Sequence, residues 1–147
     1  MPDHDDLLSD AEREALAELT APPARPQKVL VVDDDEDASD LLAQYLEAEG
    51  IESFALTDAR EALQRILHDR SIGLLITDLR MGPFDGLELI GKVRESERAE
   101  LPIIIISGDA GVQDAITAMH LSVVDFLLKP IEVGKLMELV RRELGIS

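Results

Sequence analysis

Between residues 28 and 144 the chain passes five times from a short, mainly apolar run to a longer segment whose apolar positions recur every three or four residues. The short runs are Val29 to Val32, Ile51 to Leu56, Ile72 to Thr77, Leu101 to Ile106 and Val123 to Leu128. Runs of this length, rich in Val, Ile and Leu and mostly without alternation, suit strands buried on both faces, as in a parallel sheet. The segments between them predict helices. Leu41, Leu42, Tyr45 and Leu46 form the apolar stripe of the first, which Gly50 ends. The second carries Ala59, Ala62, Leu63, Ile66 and Leu67, and the third Leu87, Leu89, Ile90 and Val93. Val112, Ala115, Ile116 and Met119 mark the fourth, and Val133, Leu136, Leu139, Val140 and Leu144 the fifth. Strict alternation of strand and helix predicts an α/β, doubly wound, five-stranded parallel sheet with right-handed crossovers and strand order 2-1-3-4-5.

Residues 1 to 26 read differently, as an acidic N-terminal extension ahead of a domain spanning residues 27 to 147. Ser9 and Glu12 have capping-box spacing, and Leu8, Ala11, Ala15, Leu16 and Leu19 recur at helical intervals, which predicts a short helix over 7–19. Pro22, Pro23 and Pro26 then break it and favour an extended linker.

Charge narrows the range of partners. A formal net charge of -17 argues against direct contact with nucleic acid or anionic membranes, since both are bound through clustered Lys and Arg. No apolar run approaches the roughly 20 residues needed to span a bilayer, and the acidic N-terminus is unlike a signal peptide, so a cytoplasmic location is expected. The chain has no cysteine, and His4, His68 and His120 lack metal-ligand spacing.

The predicted topology directs attention to one rim of the sheet. In open α/β sheets ligands bind outside the carboxyl ends of the strands, where strand order reverses, here between strands one and three. Strand one ends in Asp33, Asp34, Asp35 and Glu36, strand three in Asp78, strand four in Ser107 and strand five in Lys129. Carboxylates converging there repel one another unless a cation sits among them. Oxygen ligands without His or Cys select a hard ion, and Mg²⁺ suits best because it keeps places for water and phosphate oxygens. A carboxylate so placed can attack phosphorus to form an aspartyl phosphate, with Lys129, Ser107 and backbone NH groups stabilising the transferring group. Each residue alone has a plainer reading: Asp35 to Asp37 as helix caps, Asp78 as a turn residue, Ser107 as a loop start and Lys129 as a solvated charge. Their coincidence at one rim makes the case.

Over roughly residues 28 to 144 the sequence resembles the receiver domains of two-component response regulators, of flavodoxin-like fold. Val31 to Glu36 looks like that family's acidic pair, and Ile76 to Met81 followed by Asp85 to Leu89 like its phosphoacceptor loop. Ile105 to Gly108 carries the hydroxyl switch residue, and Asp125 to Pro130 the lysine and proline turn. The resemblance implies that Asp78 is phosphorylated by a sensor histidine kinase or histidine phosphotransfer protein, so that the chain is a signalling phosphoacceptor rather than an enzyme. It implies Mg²⁺ held by Asp34, Asp78 and the Arg80 backbone carbonyl, with Asp33 acting through water. It also implies that Ser107 moves to the phosphoryl group while Phe126 turns inward, re-shaping the surface of helix four, strand five and helix five for an unknown protein target or a homodimer. A cis Lys129–Pro130 peptide is expected on the same grounds.

The sequence departs from the family in three places. Met81-Gly82-Pro83 replaces a common Met-Pro, which suggests a looser loop. Phe126 lacks the hydroxyl of the frequent tyrosine. Arg80 and Asp109 occupy positions that in the family flank the path of attacking water, and they are expected to pair over the acyl phosphate and slow its hydrolysis. Alternatives are a receiver fragment of a longer regulator, a pseudo-receiver that works without phosphorylation, and a Mg²⁺-dependent phosphatase of the haloacid dehalogenase type. The last needs an acid two residues beyond the nucleophile, where this chain has Arg80.

Overall fold

The computed structural model describes residues 27–82, 84–109 and 111–146. The helix expected over 7–19 and the linker after it lie outside the described residues. Among the described residues five strands, β1 (Lys28–Val32), β2 (Ser53–Leu56), β3 (Ile72–Asp78), β4 (Ile103–Ser107) and β5 (Asp125–Leu128), alternate with five helices. The helices are α1 (Glu36–Ala48), α2 (Ala59–His68), α3 (Gly86–Arg94), α4 (Val112–His120) and α5 (Val133–Leu144). All strand pairs are parallel, in the order β2-β1-β3-β4-β5, as the alternation predicts. Among the described residues no helix is long and apolar enough to cross a membrane.

The central strands are apolar on consecutive positions because each of their faces carries a helical layer. Leu30, Val32, Leu75, Ile103 and Ile105 pack with Ile66 of α2, Leu89, Ile90 and Val93 of α3 and Ala118 of α4. Val29, Val31, Leu74, Ile76, Ile104 and Ile106 pack on the opposite face with Leu42 and Leu46 of α1 and Leu136 and Val140 of α5. These side chains are almost wholly removed from water, and each such Leu, Ile or Val stabilises the fold by about 1.5–3 kcal/mol.

Local chemistry starts and stops the helices. Asp35, Asp58 and Asp85 are N-caps whose carboxylates accept from the backbone NH groups of Ala38, Arg60 and Glu88. After α1 the chain reverses through Gly50 at φ +80, a conformation that glycine adopts without the clash a Cβ brings. At the end of the sheet remote from the strand carboxyl termini, Arg98 donates to the carbonyls of Ile66, Asp69 and Ile72. Arg94 does the same for Leu121, Ser122, Ala99 and Leu101. The two guanidinium groups thereby bind the carboxyl ends of α2 and α4 to the sheet.

Asp69, beside the start of β1, accepts from the Ser71 hydroxyl and from Lys28 Nζ at 3.0 Å, with the Ser71 NH adding a further bond. These bonds outweigh partial burial and hold its carboxyl at about 2. A carboxyl depressed in the folded state stabilises it above the ordinary value of about 3.9, and that contribution disappears as pH falls through about 2. Asp69→Asn is therefore expected to lower stability by up to about 1 kcal/mol near neutral pH, a figure reduced by solvent screening. Urea melts should show the difference closing between about pH 4 and pH 2.

Candidate functional site

Sheet register brings the polar ends of four strands to one edge. Asp78 is the last residue of β3 and pairs with Ile106, while Ser107 ends β4 opposite Leu128. Backbone bonds extend the order one step further: Asp33 NH donates to Leu56 O at 3.2 Å and Lys129 NH to Ser107 O at 2.8 Å. The Lys129–Pro130 peptide is cis, as the family resemblance implied.

Asp33, Asp34 and Asp78 each present a carboxylate oxygen within 4.8 Å of the other two. Lys129 Nζ donates to Asp33 Oδ2 at 3.1 Å and to Asp78 Oδ2 at 3.0 Å. Asp33 Oδ1 accepts the Asp35 NH at 3.0 Å, so both of its oxygens are engaged. Asp78 Oδ1 accepts the NH groups of Leu79 (2.6 Å) and Arg80 (3.3 Å). Asp33 and Asp78 are buried, whereas Asp34 is exposed and faces the opening.

Burial pushes the Asp33 carboxyl up, and the charge of Asp78 adds to this against the opposing Asp35 NH and Lys129 bonds. Burial alone would lower the Lys129 ammonium, but its bonds to Asp78 and Asp33 prevail and raise it, so it stays charged. Three carboxylates and one ammonium leave the pocket negative. The donor set is oxygen only, with Asp34 open to solvent, which fits a small hard cation.

The residues expected to act as the switch lie close by. Ser107, buried, donates its hydroxyl to the Asp109 carbonyl at 3.0 Å and accepts the Asp109 NH at 3.2 Å. Phe126 is half-buried, packed against the core layer that contains α2 and α3. Asp109 itself is exposed, and the pairing with Arg80 expected of it concerns the state with an acyl phosphate attached. Arg80 Nη2 pairs with Asp114 Oδ2 at 2.7 Å instead of with Asp109. No periodicity links residues 34 positions apart, so Asp114 had no sequence signal as a partner. Gly86 was also undervalued: a Cβ there would lie 2.0 Å from the Asp78 carbonyl oxygen.

A family model described as "Response regulator receiver domain" matches residues 29–141. Among solved structures the chain is similar to a response regulator receiver protein from Pseudomonas putida, with 50% identity and a TM-score of 0.78, covering 82% of this chain and 99% of that one. A receiver domain protein from Methanospirillum hungatei is 26% identical, with a TM-score of 0.75 over 81% and 94% of the two chains. Among curated proteins, an uncharacterized 14.6 kDa protein from the sodA1 3′ region of Leptolyngbya boryana is 40% identical over 115 residues, 78% of this chain and 87% of its own. The C4-dicarboxylate transport transcriptional regulatory protein DctD of Pseudomonas aeruginosa is 36% identical over 119 residues, 81% of this chain but only 25% of its own.

Proposed function

The chain belongs to the response regulator receiver domain family, and on that premise we propose that Asp78 is its phosphoacceptor, loaded from a sensor histidine kinase or a histidine phosphotransfer protein. The observation that carries the reading is the Asp78 carboxylate itself, grouped with those of Asp33 and Asp34 and touched by Lys129 Nζ at 3.0 Å. An Asp78 oxygen attacks phosphorus while the P–N bond of the phosphohistidine breaks and the imidazole leaves with the electron pair. Lys129 then meets one oxygen of the transferred group, and Ser107 exchanges its bond to Asp109 for another. Asp34, Asp78 and the Arg80 carbonyl are the residues that would hold Mg²⁺, with Asp33 acting through water. The ion supplies neutralisation of the developing phosphoryl charge.

A groove of about 430 Å³ opens beside Asp35 and Lys129, lined by Leu41, Leu42, Tyr45, Ile131 and Val133. Its apolar wall suits a helix of the phosphoryl donor, and this role accounts for Leu41 and Tyr45 standing exposed on α1. Val112, Ile116 and Met119 of α4 and Leu128 of β5 are likewise exposed, a surface for the downstream protein or for a second copy of the chain. The new dianion would bias the arrangement of α4, β5 and α5, in keeping with a cytoplasmic signalling role. The chain spans most of the Leptolyngbya protein but a quarter of DctD, and the same site serves a free-standing module or one part of a longer regulator.

Incubation with acetyl phosphate and Mg²⁺ tests this reading. Intact mass should rise by one phosphoryl group, and EDTA should suppress the gain by at least about tenfold. A protein that gains nothing under conditions that load an unrelated receiver would be a phosphorylation-independent binding module.

A further inference from the structure

The ion pair between Arg80 and Asp114 joins the acceptor loop to the amino end of α4, whereas Arg94 bonds the carboxyl end of that helix. Asp114 Oδ2 accepts from Arg80 Nη2 at 2.7 Å and also from the Gly111 NH at 3.0 Å, the bond that caps α4. Of the residues of α4 only Ala118 is buried. The Arg80 side chain is 56% exposed and that of Asp114 14%, so the arginine is the end with room to swing. Its backbone NH already touches Asp78 Oδ1, which places the guanidinium within one side-chain length of any group attached to Asp78.

We propose that Asp114 is a positioning residue for the phosphoryl group: it holds Arg80 aside while Asp78 is unmodified and releases it once the group is attached. The inference rests on phosphorylation of Asp78. A phosphoryl group carries about -1.5 to -2 charges and three acceptor oxygens that match the guanidinium fork, whereas the Asp114 carboxylate carries one charge and shares its Oδ2 with the Gly111 NH. Transfer of Arg80 to the phosphoryl oxygens removes the tether at the amino end of α4. The sequence-based expectation that Arg80 covers the acyl phosphate is thereby kept, with its partner and the consequence for α4 redefined.

The test is a calorimetric titration with beryllofluoride, a stable phosphoryl mimic, in excess Mg²⁺, on wild type, Arg80→Ala, Asp114→Asn and the double variant. Asparagine retains an oxygen for the Gly111 NH, so the helix cap survives. Removing the competing carboxylate should tighten binding about threefold to fivefold. Arg80→Ala should weaken it about fivefold to tenfold, and adding Asp114→Asn to Arg80→Ala should change it less than about twofold. Amide exchange over Val112–His120 should accelerate on ligand binding in wild type, and should be fast with or without ligand in Arg80→Ala. Equal effects of Asp114→Asn in the presence and absence of Arg80, or ligand-independent exchange of α4 in wild type, overturn the proposal while leaving Asp78 as acceptor. A wild-type protein that neither binds beryllofluoride nor gains a phosphoryl group overturns both readings.

Discussion

Asp78→Asn is expected to take up no phosphoryl group from any donor while melting no lower than wild type. The two effects separate because the carboxylate proposed to serve transfer burdens the resting fold. Asparagine keeps an oxygen for the Leu79 NH now bonded at 2.6 Å, and Lys129 keeps Asp33 at 3.1 Å. What is lost is one of three carboxylates packed around one ammonium, and with it a charge that helps hold the buried Asp33 carboxyl above its ordinary value. Relief of that repulsion should raise stability by about 1 kcal/mol, or roughly 4 °C in Tm, the usual relation between a functional site and its fold. Intact mass after acetyl phosphate treatment and a thermal melt check both halves. A melt clearly below wild type would mean that the Lys129–Asp78 contact outweighs the repulsion, and residual loading would place the acceptor elsewhere.

The strands, their order and the meeting of four polar strand ends at one rim were legible because each rests on a short sequence signal read through a topological rule. Boundaries were less so. Ile51 and Leu101 were read into β2 and β4, yet both lie before the first paired residue while remaining buried. Hydrophobicity reports removal from water, which adjoining loops share, and not the hydrogen-bond ladder. Ser107 lies beyond the apolar run but was expected at the end of strand four, and it pairs there with Leu128. Helix α4 is the clearest divergence. Its period gave the helix, but Val112, Ile116 and Met119 of the predicted apolar stripe face solvent and Ala118 faces the core. An apolar stripe shows which positions avoid water in the working molecule, and a surface reserved for a partner carries the same pattern as a core face. Arg94, Arg98 and Asp114 each reach a partner 27, 32 or 34 residues away, at Leu121, Ile66 and Arg80, where local patterns hold no information.

Gly86→Ala and Gly91→Ala, identical changes one and a half turns apart on α3, are expected to have opposite signs. In a helix interior alanine exceeds glycine by about 1 kcal/mol, and a Cβ on Gly91 meets nothing within 4 Å, so that variant should gain roughly 0.5–1 kcal/mol. Gly86 opens α3 directly against the end of β3. A Cβ there would lie 2.0 Å from Asp78 O and 3.1 Å from Leu79 Cα. Both neighbours are backbone, and neither is free to yield. The Asp78 carbonyl accepts from the Thr77 hydroxyl at 2.9 Å, and Leu79 O is held by the Gly86 NH at 3.0 Å. The helix must therefore move outward, breaking that bond and loosening the packing of Leu89 and Ile90, for a loss of about 3 kcal/mol or more. With the Gly86–Leu79 bond broken, the loop that follows Asp78 loses that support, and misplacement of the acceptor on the scale of 1 Å is enough to slow transfer about a hundredfold. Gly86→Ala should thus be both less stable in urea and slow to load, whereas Gly91→Ala loads normally. Full loading of Gly86→Ala at wild-type rate would show that the acceptor does not depend on the seat that α3 gives it.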